Sequence, residues 1–196
     1  MLLNQLSPYK IFLVSKSPRR ASLLASMDIP FEVMTADVDE SYDPSLSPEQ
    51  VAEYLSQIKL SGIDRHRYDE HTIFITSDTI VVVGDSILGK PKDAAEAKAM
   101  LTQLSGQAHD VITGVTVATP SKQLTSHRTT KVHFDKLSSE EIDYYVNKYM
   151  PTDKAGAYGV QEWIGCVGIT AIEGSFYNVM GLPTKLLWDM LKQLVE

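Results

Sequence analysis

The sequence predicts a domain of the α/β or α+β class built on a mixed sheet. Three observations carry that expectation. A short apolar run at 11–15 leads through Lys16-Ser17-Pro18-Arg19-Arg20 into a helical pattern, which makes a strand, a tight loop and a helix. Two runs rich in β-branched residues, 72–76 and 80–83, read as strands. Two further runs, 111–118 and 129–134, alternate enough to be antiparallel strands.

In the first unit Ser17 is a good N-cap and Pro18 a good first helical residue, with Leu23, Leu24 and Met27 on one face. Residues 31–36 read as a second strand, and an acidic loop with Asp37, Asp39, Glu40 and Asp43 follows. Ser47-Pro48-Glu49-Gln50 has the pattern of a capping box, so a long helix is expected from there towards Arg65. Ser77-Asp78-Thr79 separates the two β-branched strands, and Gly84-Asp85-Ser86 reads as a hairpin turn. Helices are expected from Asp93 to Leu104 and from Ser138 to Met150, the second ended by Pro151. Residues 165–173 are a strand candidate. Gly181-Leu182-Pro183 precedes a C-terminal helix with Leu187, Leu191 and Leu194 on its apolar side. The polar loops cluster at strand ends, where ligand sites in open sheets tend to lie.

Bulk properties narrow the function. A chain of 196 residues suits one domain, compact or folded as two lobes. The 18 basic and 25 acidic side chains leave a net charge of −7, with no Lys/Arg-rich run, which argues against a nucleic-acid partner. A small anionic substrate stays open, because a few cations in a cleft outweigh the global charge locally. The single cysteine, Cys166, permits no internal disulfide and reads as a buried small apolar residue. The first ten residues lack the features of a signal peptide, and no apolar stretch is long enough to span a bilayer. A cytoplasmic location is expected.

Four segments can carry chemistry. Ser15-Lys16-Ser17-Pro18-Arg19-Arg20 sets two hydroxyls and two guanidiniums at the start of a helix, where backbone N–H groups and the helix dipole favour an anion. It is a plausible triphosphate cradle, and equally a capped helix with solvated arginines. Asp78, between two apolar strands, is costly to bury unless it is paired or binds a metal. It suits a general base or a Mg²⁺ ligand, or a turn aspartate. Gly84 to Lys90 matches the first seven positions of a P-loop, but Pro91 stands where Ser or Thr must bind Mg²⁺, and the pattern spans a hairpin. A P-loop is rejected, while Lys90 remains a possible phosphate contact. Asp153 to Gln161 is glycine-rich, and Gln161 offers a donor and an acceptor to a nucleobase edge. A plain surface loop is the competing reading there. The five histidines show no zinc spacing, and Tyr144 and Tyr145 read as packing residues.

Taken together, these segments resemble the Maf family of nucleoside triphosphate pyrophosphatases, from Ile11 to Leu194. The resemblance rests on Ser15 to Arg20, Val38-Asp39-Glu40, Ser77-Asp78-Thr79, Gly89-Lys90-Pro91, Leu104-Ser105-Gly106, Lys154 to Gln161 and Gly181-Leu182-Pro183, in that order and spacing. It implies a two-lobed α/β mixed-sheet domain with a central cleft, spanning 1–196 and similar in outline to inosine triphosphate pyrophosphatases. It further implies a homodimer that cuts nucleoside triphosphates between the α- and β-phosphates with Mg²⁺ or Mn²⁺.

Residue by residue, the resemblance implies that Asp78 accepts the proton of the attacking water. Ser15, Arg20, Lys59 and Lys90 are then phosphate or substrate contacts, and Glu40 with Asp78 would hold the metal. Arg19, Thr79 and Gln161 match the branch that hydrolyses dTTP and UTP; the branch that prefers 7-methyl-GTP has an aromatic, Gln and Glu there. Val14 and Glu162 depart from the small residues common at those places. Two alternatives stand beside this reading: a non-catalytic nucleotide-binding regulator of cell division, and the same chemistry on 7-methyl-GTP.

Overall fold

The structure, a computed structural model, describes residues 1–196. Its first helices and strands are α1 (Leu2–Leu6), β1 (Lys10–Val14), α2 (Pro18–Ala25), β2 (Glu32–Met34) and α3 (Pro48–Ser61). Then come β3 (Thr72–Val83), β4 (Ser86–Leu88), α4 (Ala94–Leu104), β5 (Ala108–Ala118) and β6 (Gln123–Phe134). The last are α5 (Ser139–Tyr149), α6 (Trp163–Gly168), β7 (Ile169–Glu173), α7 (Phe176–Val179) and α8 (Thr184–Val195).

The strands form one seven-stranded sheet in the order β2-β1-β3-β5-β6-β7, with β4 paired to β3. β1 runs parallel to both β2 and β3, whereas β4 lies antiparallel to β3 and β7 antiparallel to β6. The sheet is therefore mixed, as the sequence predicts.

The chain divides into two compact units. One comprises Met1–Asp78, Thr113–Arg128 and Gly181–Glu196, the other Thr79–Ile112 and Thr129–Met180. In the first unit Phe12 stacks on Phe74 at 5.7 Å, Tyr68 meets both rings edge-on, and Val14, Leu60 and Ala118 complete the cluster. In the second unit α4 and α5 pack their apolar faces (Leu101, Leu104, Ile142, Tyr145 and Val146) into a larger core.

Local chemistry explains most helix starts. Ser47 and Ser138 each form a complete capping box, with Gln50 and Glu141 reaching back to the cap backbone. Asp93 caps α4 through the N–H of Glu96 at 2.9 Å. Met150, in the left-handed conformation (φ 46°), and the following Pro151 end α5.

Five expectations need correction. Residues 72–83 form one unbroken strand, so Asp78 lies within β3 and not in a turn. Residues 165–173 are divided between the end of α6 and β7, because Gly165 and Cys166 close helical bonds back to Glu162. The long helix ends at Ser61, and a separate 3-10 turn covers Arg65–Arg67. Ser17 has the extended backbone of an N-cap, but its hydroxyl makes no capping bond. Cys166 is exposed, on the outer side of α6.

Helix α3 sits tightly on β5. A Cβ at Gly114 would lie 2.0 Å from the carbonyl oxygen of Ala52, so only glycine admits the helix backbone at this depth. Gly114→Ala must push α3 away and is expected to cost about 3 kcal/mol or more. Urea unfolding checks this: the midpoint should fall with the slope unchanged, and an unchanged midpoint would show that α3 can shift freely.

Candidate active site

The first unit gathers the charged groups around β3. This strand lies between β1 and β5, and Asp78 is its seventh residue of twelve. The Asp78 side chain is 13% exposed and its carboxylate pairs with the ammonium of Lys59, itself 15% exposed. Lys59 stands in the last turn of α3, where a cation is also favoured by the helix dipole. Glu40, from the acidic loop, brings Oε1 to 3.4 Å from the same Nζ. Two carboxylates from distant parts of the chain thus share one lysine.

Helix α3 is held at this register by polar bonds as well as packing. Thr76 Oγ1 donates to the carbonyl of Ser56 at 2.6 Å, and the Ser56 and Thr116 hydroxyls bond at 2.8 Å. Thr76 and Asp78 share a strand face, since side chains alternate. The bonds that seat α3 therefore also bring Lys59 to Asp78.

The loop after β1 forms the second part of this unit. The N–H of Ser15 donates to the carbonyl of Met34 at 2.9 Å, and Ser15 Oγ accepts from the N–H of Ser17 at 3.1 Å. Arg19 and Arg20 follow in the first turn of α2, both half-buried. Arg20 Nε donates to the carbonyl of Gly181 at 2.8 Å, and Ser77 Oγ donates to the same oxygen at 3.1 Å. Gly181 has φ +108°, a conformation that favours glycine, and its carbonyl turns towards both donors. Burial pulls the Arg20 guanidinium below its ordinary value; Asp78 and Glu40 oppose the shift and Arg19 reinforces it. An arginine remains charged regardless.

The second unit carries the remaining candidates. Thr79 follows Asp78 on β3 and points to the opposite strand face. Gly84, at φ +56°, turns β3 into β4, so the glycine-rich stretch before Lys90 is a hairpin and no P-loop. Lys90 is exposed just beyond β4, and the carbonyl of Gly89 beside it accepts from the N–H of Gly156 at 3.1 Å. That bond joins the Lys90 segment to the turn leading to Gln161, which is exposed. Tyr158 is anchored below by a 2.7 Å bond to His109, whose ring meets Phe134 edge-on.

The structure thus brings Asp78, Lys59 and Glu40 into one cluster, with the charge of Arg20 coupled to Asp78 and Glu40. Groups the sequence reading missed are the Gly181 carbonyl, which orients Arg20 across 161 positions, and the hydroxyl of the buried Tyr145. Glu162, singled out in the sequence by its departure from the family pattern, lies half-buried against Tyr145 and Lys154. The Gly181 bond has no local signal.

A family model described as Maf-like protein matches residues 10–194. The chain belongs to the Maf family. A dTTP/UTP pyrophosphatase of Porphyromonas gingivalis is 47% identical to this Maf chain over 197 residues, covering 100% of it and 99% of that protein. Another dTTP/UTP pyrophosphatase, of Bacteroides thetaiotaomicron, is 46% identical and covers 98% of the chain and 100% of that protein. Among solved structures, the Staphylococcus aureus Ham1 protein aligns over 94% of this Maf chain and 98% of that chain, with a TM-score of 0.52 at 15% identity, which shows a shared fold. No helix of this Maf protein is long and apolar enough to cross a membrane.

Burial gives the second unit a pH dependence. His109 is pushed down to about 4 by burial, with a smaller contribution from His133. In the unfolded chain it protonates near the ordinary 6.5, so between these values the unfolded state binds more protons. Its stabilising contribution is whole above about pH 6.5 and is lost as the pH falls towards 4, by roughly 3 kcal/mol in all. Urea midpoints measured across that range should show the decline, and His109→Gln should flatten it; an equal slope in the variant would assign the decline to other groups.

Proposed function

We propose that this protein hydrolyses dTTP and UTP to the nucleoside monophosphate and pyrophosphate, cleaning the nucleotide pool. The observation that carries the reading is Asp78, a shielded carboxylate inside an interior strand, paired with Lys59 and coupled to Arg20. Desolvating such a pair costs as much as its attraction returns, so stability alone gives little reason to keep it. A carboxylate beside a lysine and an arginine is also the set that general-base and charge-stabilising chemistry uses. Full-length relatives named dTTP/UTP pyrophosphatase support the reaction and the substrates.

In this reading Asp78 accepts a proton from the water that attacks the α-phosphorus. The new P–O bond forms as the bond to the bridging oxygen breaks, and pyrophosphate leaves. Lys59 and Arg20 offset the charge that grows on the phosphate oxygens, with Arg20 held in place by the Gly181 carbonyl. Ser15 and Lys90 are further phosphate contacts. Such transfers depend mainly on positioning and charge stabilisation, so this inventory suffices. The donors present suit a divalent ion: Glu40 and Asp78 are hard oxygen ligands that both reach Lys59, and Mg²⁺ commonly takes one or two carboxylates plus substrate phosphates. When bound, Mg²⁺ or Mn²⁺ neutralises phosphate charge. Arg19, Thr79 and Gln161 set the preference for a pyrimidine base. We further infer a homodimer acting on free nucleotides, supported by the family resemblance, and a cytoplasmic location.

Asp78→Asn is expected to lower kcat for pyrophosphate release from UTP by about 10²–10⁴-fold, with UTP binding retained in calorimetry. Undiminished turnover would remove Asp78 from the role. The pair Thr79→Gln with Gln161→Glu should reduce the preference for UTP over GTP by about tenfold or more, read as the ratio of kcat/KM values. An unchanged ratio would sink the specificity assignment.

A further inference from the structure

The segment that bears Gln161 is built over a buried polar cluster. Lys154 is 8% exposed. Its Nζ lies 2.7 Å from Asp153 Oδ1 and 3.2 Å from Glu162 Oε1. The other oxygen of Glu162 accepts a bond from the Tyr145 hydroxyl, which in turn accepts from the N–H of Gly159 at 3.0 Å. Tyr145 is fully buried in the core of α5. Burial, and then the bond to Glu162 and its charge, push the phenol upward, so it stays a donor at neutral pH.

Gly159 shows what this cluster does to Gln161. A Cβ at Gly159 would lie 2.8 Å from the Glu162 carboxyl carbon and 3.0 Å from Gln161 Nε2. The carboxylate and the amide nitrogen therefore both approach the space over the same glycine. Gln161 itself is exposed and its side chain is otherwise free to sample many rotamers. Glu162 is tied on both oxygens to rigid parts, Tyr145 on α5 and the buried Lys154. A loop residue with two such anchors is a fixed platform and not a solvated side chain.

We propose that Glu162 is a positioning residue, which through its bonds to Lys154 and Tyr145 holds the Gln161 amide in the orientation that selects the base. The inference rests on the reading of Gln161 as a base-reading residue given above. It assigns a purpose to the carboxylate that departs from the family pattern.

The test is a double-mutant cycle on the full chain, with kcat and KM for UTP and GTP measured in each variant. Glu162→Gln keeps the shape, and Lys154 retains Asp153 as a charged partner, so the fold should survive. The expected result is a rise of about tenfold in KM for UTP with little change in kcat, and a matching loss of UTP selectivity. Tyr145→Phe should shift selectivity in the same direction and guards against a folding defect in the first variant. In a Gln161→Ala background Glu162→Gln should change selectivity no further, because its effect passes through the amide. If Gln161→Ala lowers selectivity but Glu162→Gln and Tyr145→Phe do not, the positioning role is overturned and the reading of Gln161 stands. If Gln161→Ala leaves selectivity intact, the reading of Gln161 fails and the proposal with it. Additive effects in the double variant would also overturn it.

Discussion

An acidic side chain sits in the middle of an interior strand, and much of the first unit follows from accommodating it. On one side of β3 the pairing with β1 ends at Ile75 and the pairing with β4 begins at Val81, so Asp78 stands between the two ladders. It needs a counter-charge, and Lys59 supplies one from the last turn of α3. That pairing works only if the helix lies at the right depth and register. Gly114 provides the depth by letting the Ala52 backbone approach β5, and the bonds of Ser56 to Thr76 and Thr116 fix the register. The packing of α3 and the charge arrangement at Asp78 are one constraint seen from two sides.

A second tie draws on the two ends of the chain. The Gly181 carbonyl, just before the C-terminal helix, accepts from Arg20 in α2 and from Ser77 beside Asp78. The bond removes freedom at Nε of the guanidinium. In the proposed reading of Arg20 as a phosphate contact, such restraint sets the fork geometry before the anion arrives.

Much of this was legible in the sequence, and the failures are instructive. The capping box at Ser47, the helix start at Ser138 and the stop at Pro151 were readable because they depend on neighbours within a few residues. The parallel pairing of β1 with β3 depends on residues some sixty positions apart, and only the strand–loop–helix start hinted at it. Reading Asp78 as a break between strands was a reasonable error. Local propensity disfavours Asp in a strand, and the compensation comes from Lys59, nineteen residues away. Cys166 was expected inside on the habits of free cysteines, yet α6 turns it outward. Tyr145 looked like simple packing. Its ring is indeed in the core, but its hydroxyl ends in a polar cluster that only the folded loop brings together.

The central claim is that water attacks the α-phosphorus of a pyrimidine nucleoside triphosphate. Hydrolysis of UTP in ¹⁸O-enriched water with Mg²⁺, followed by mass analysis of the products, tests it most directly. The account predicts one ¹⁸O in the UMP and none in the pyrophosphate. Label in the pyrophosphate, or release of orthophosphate as the primary product, would contradict it.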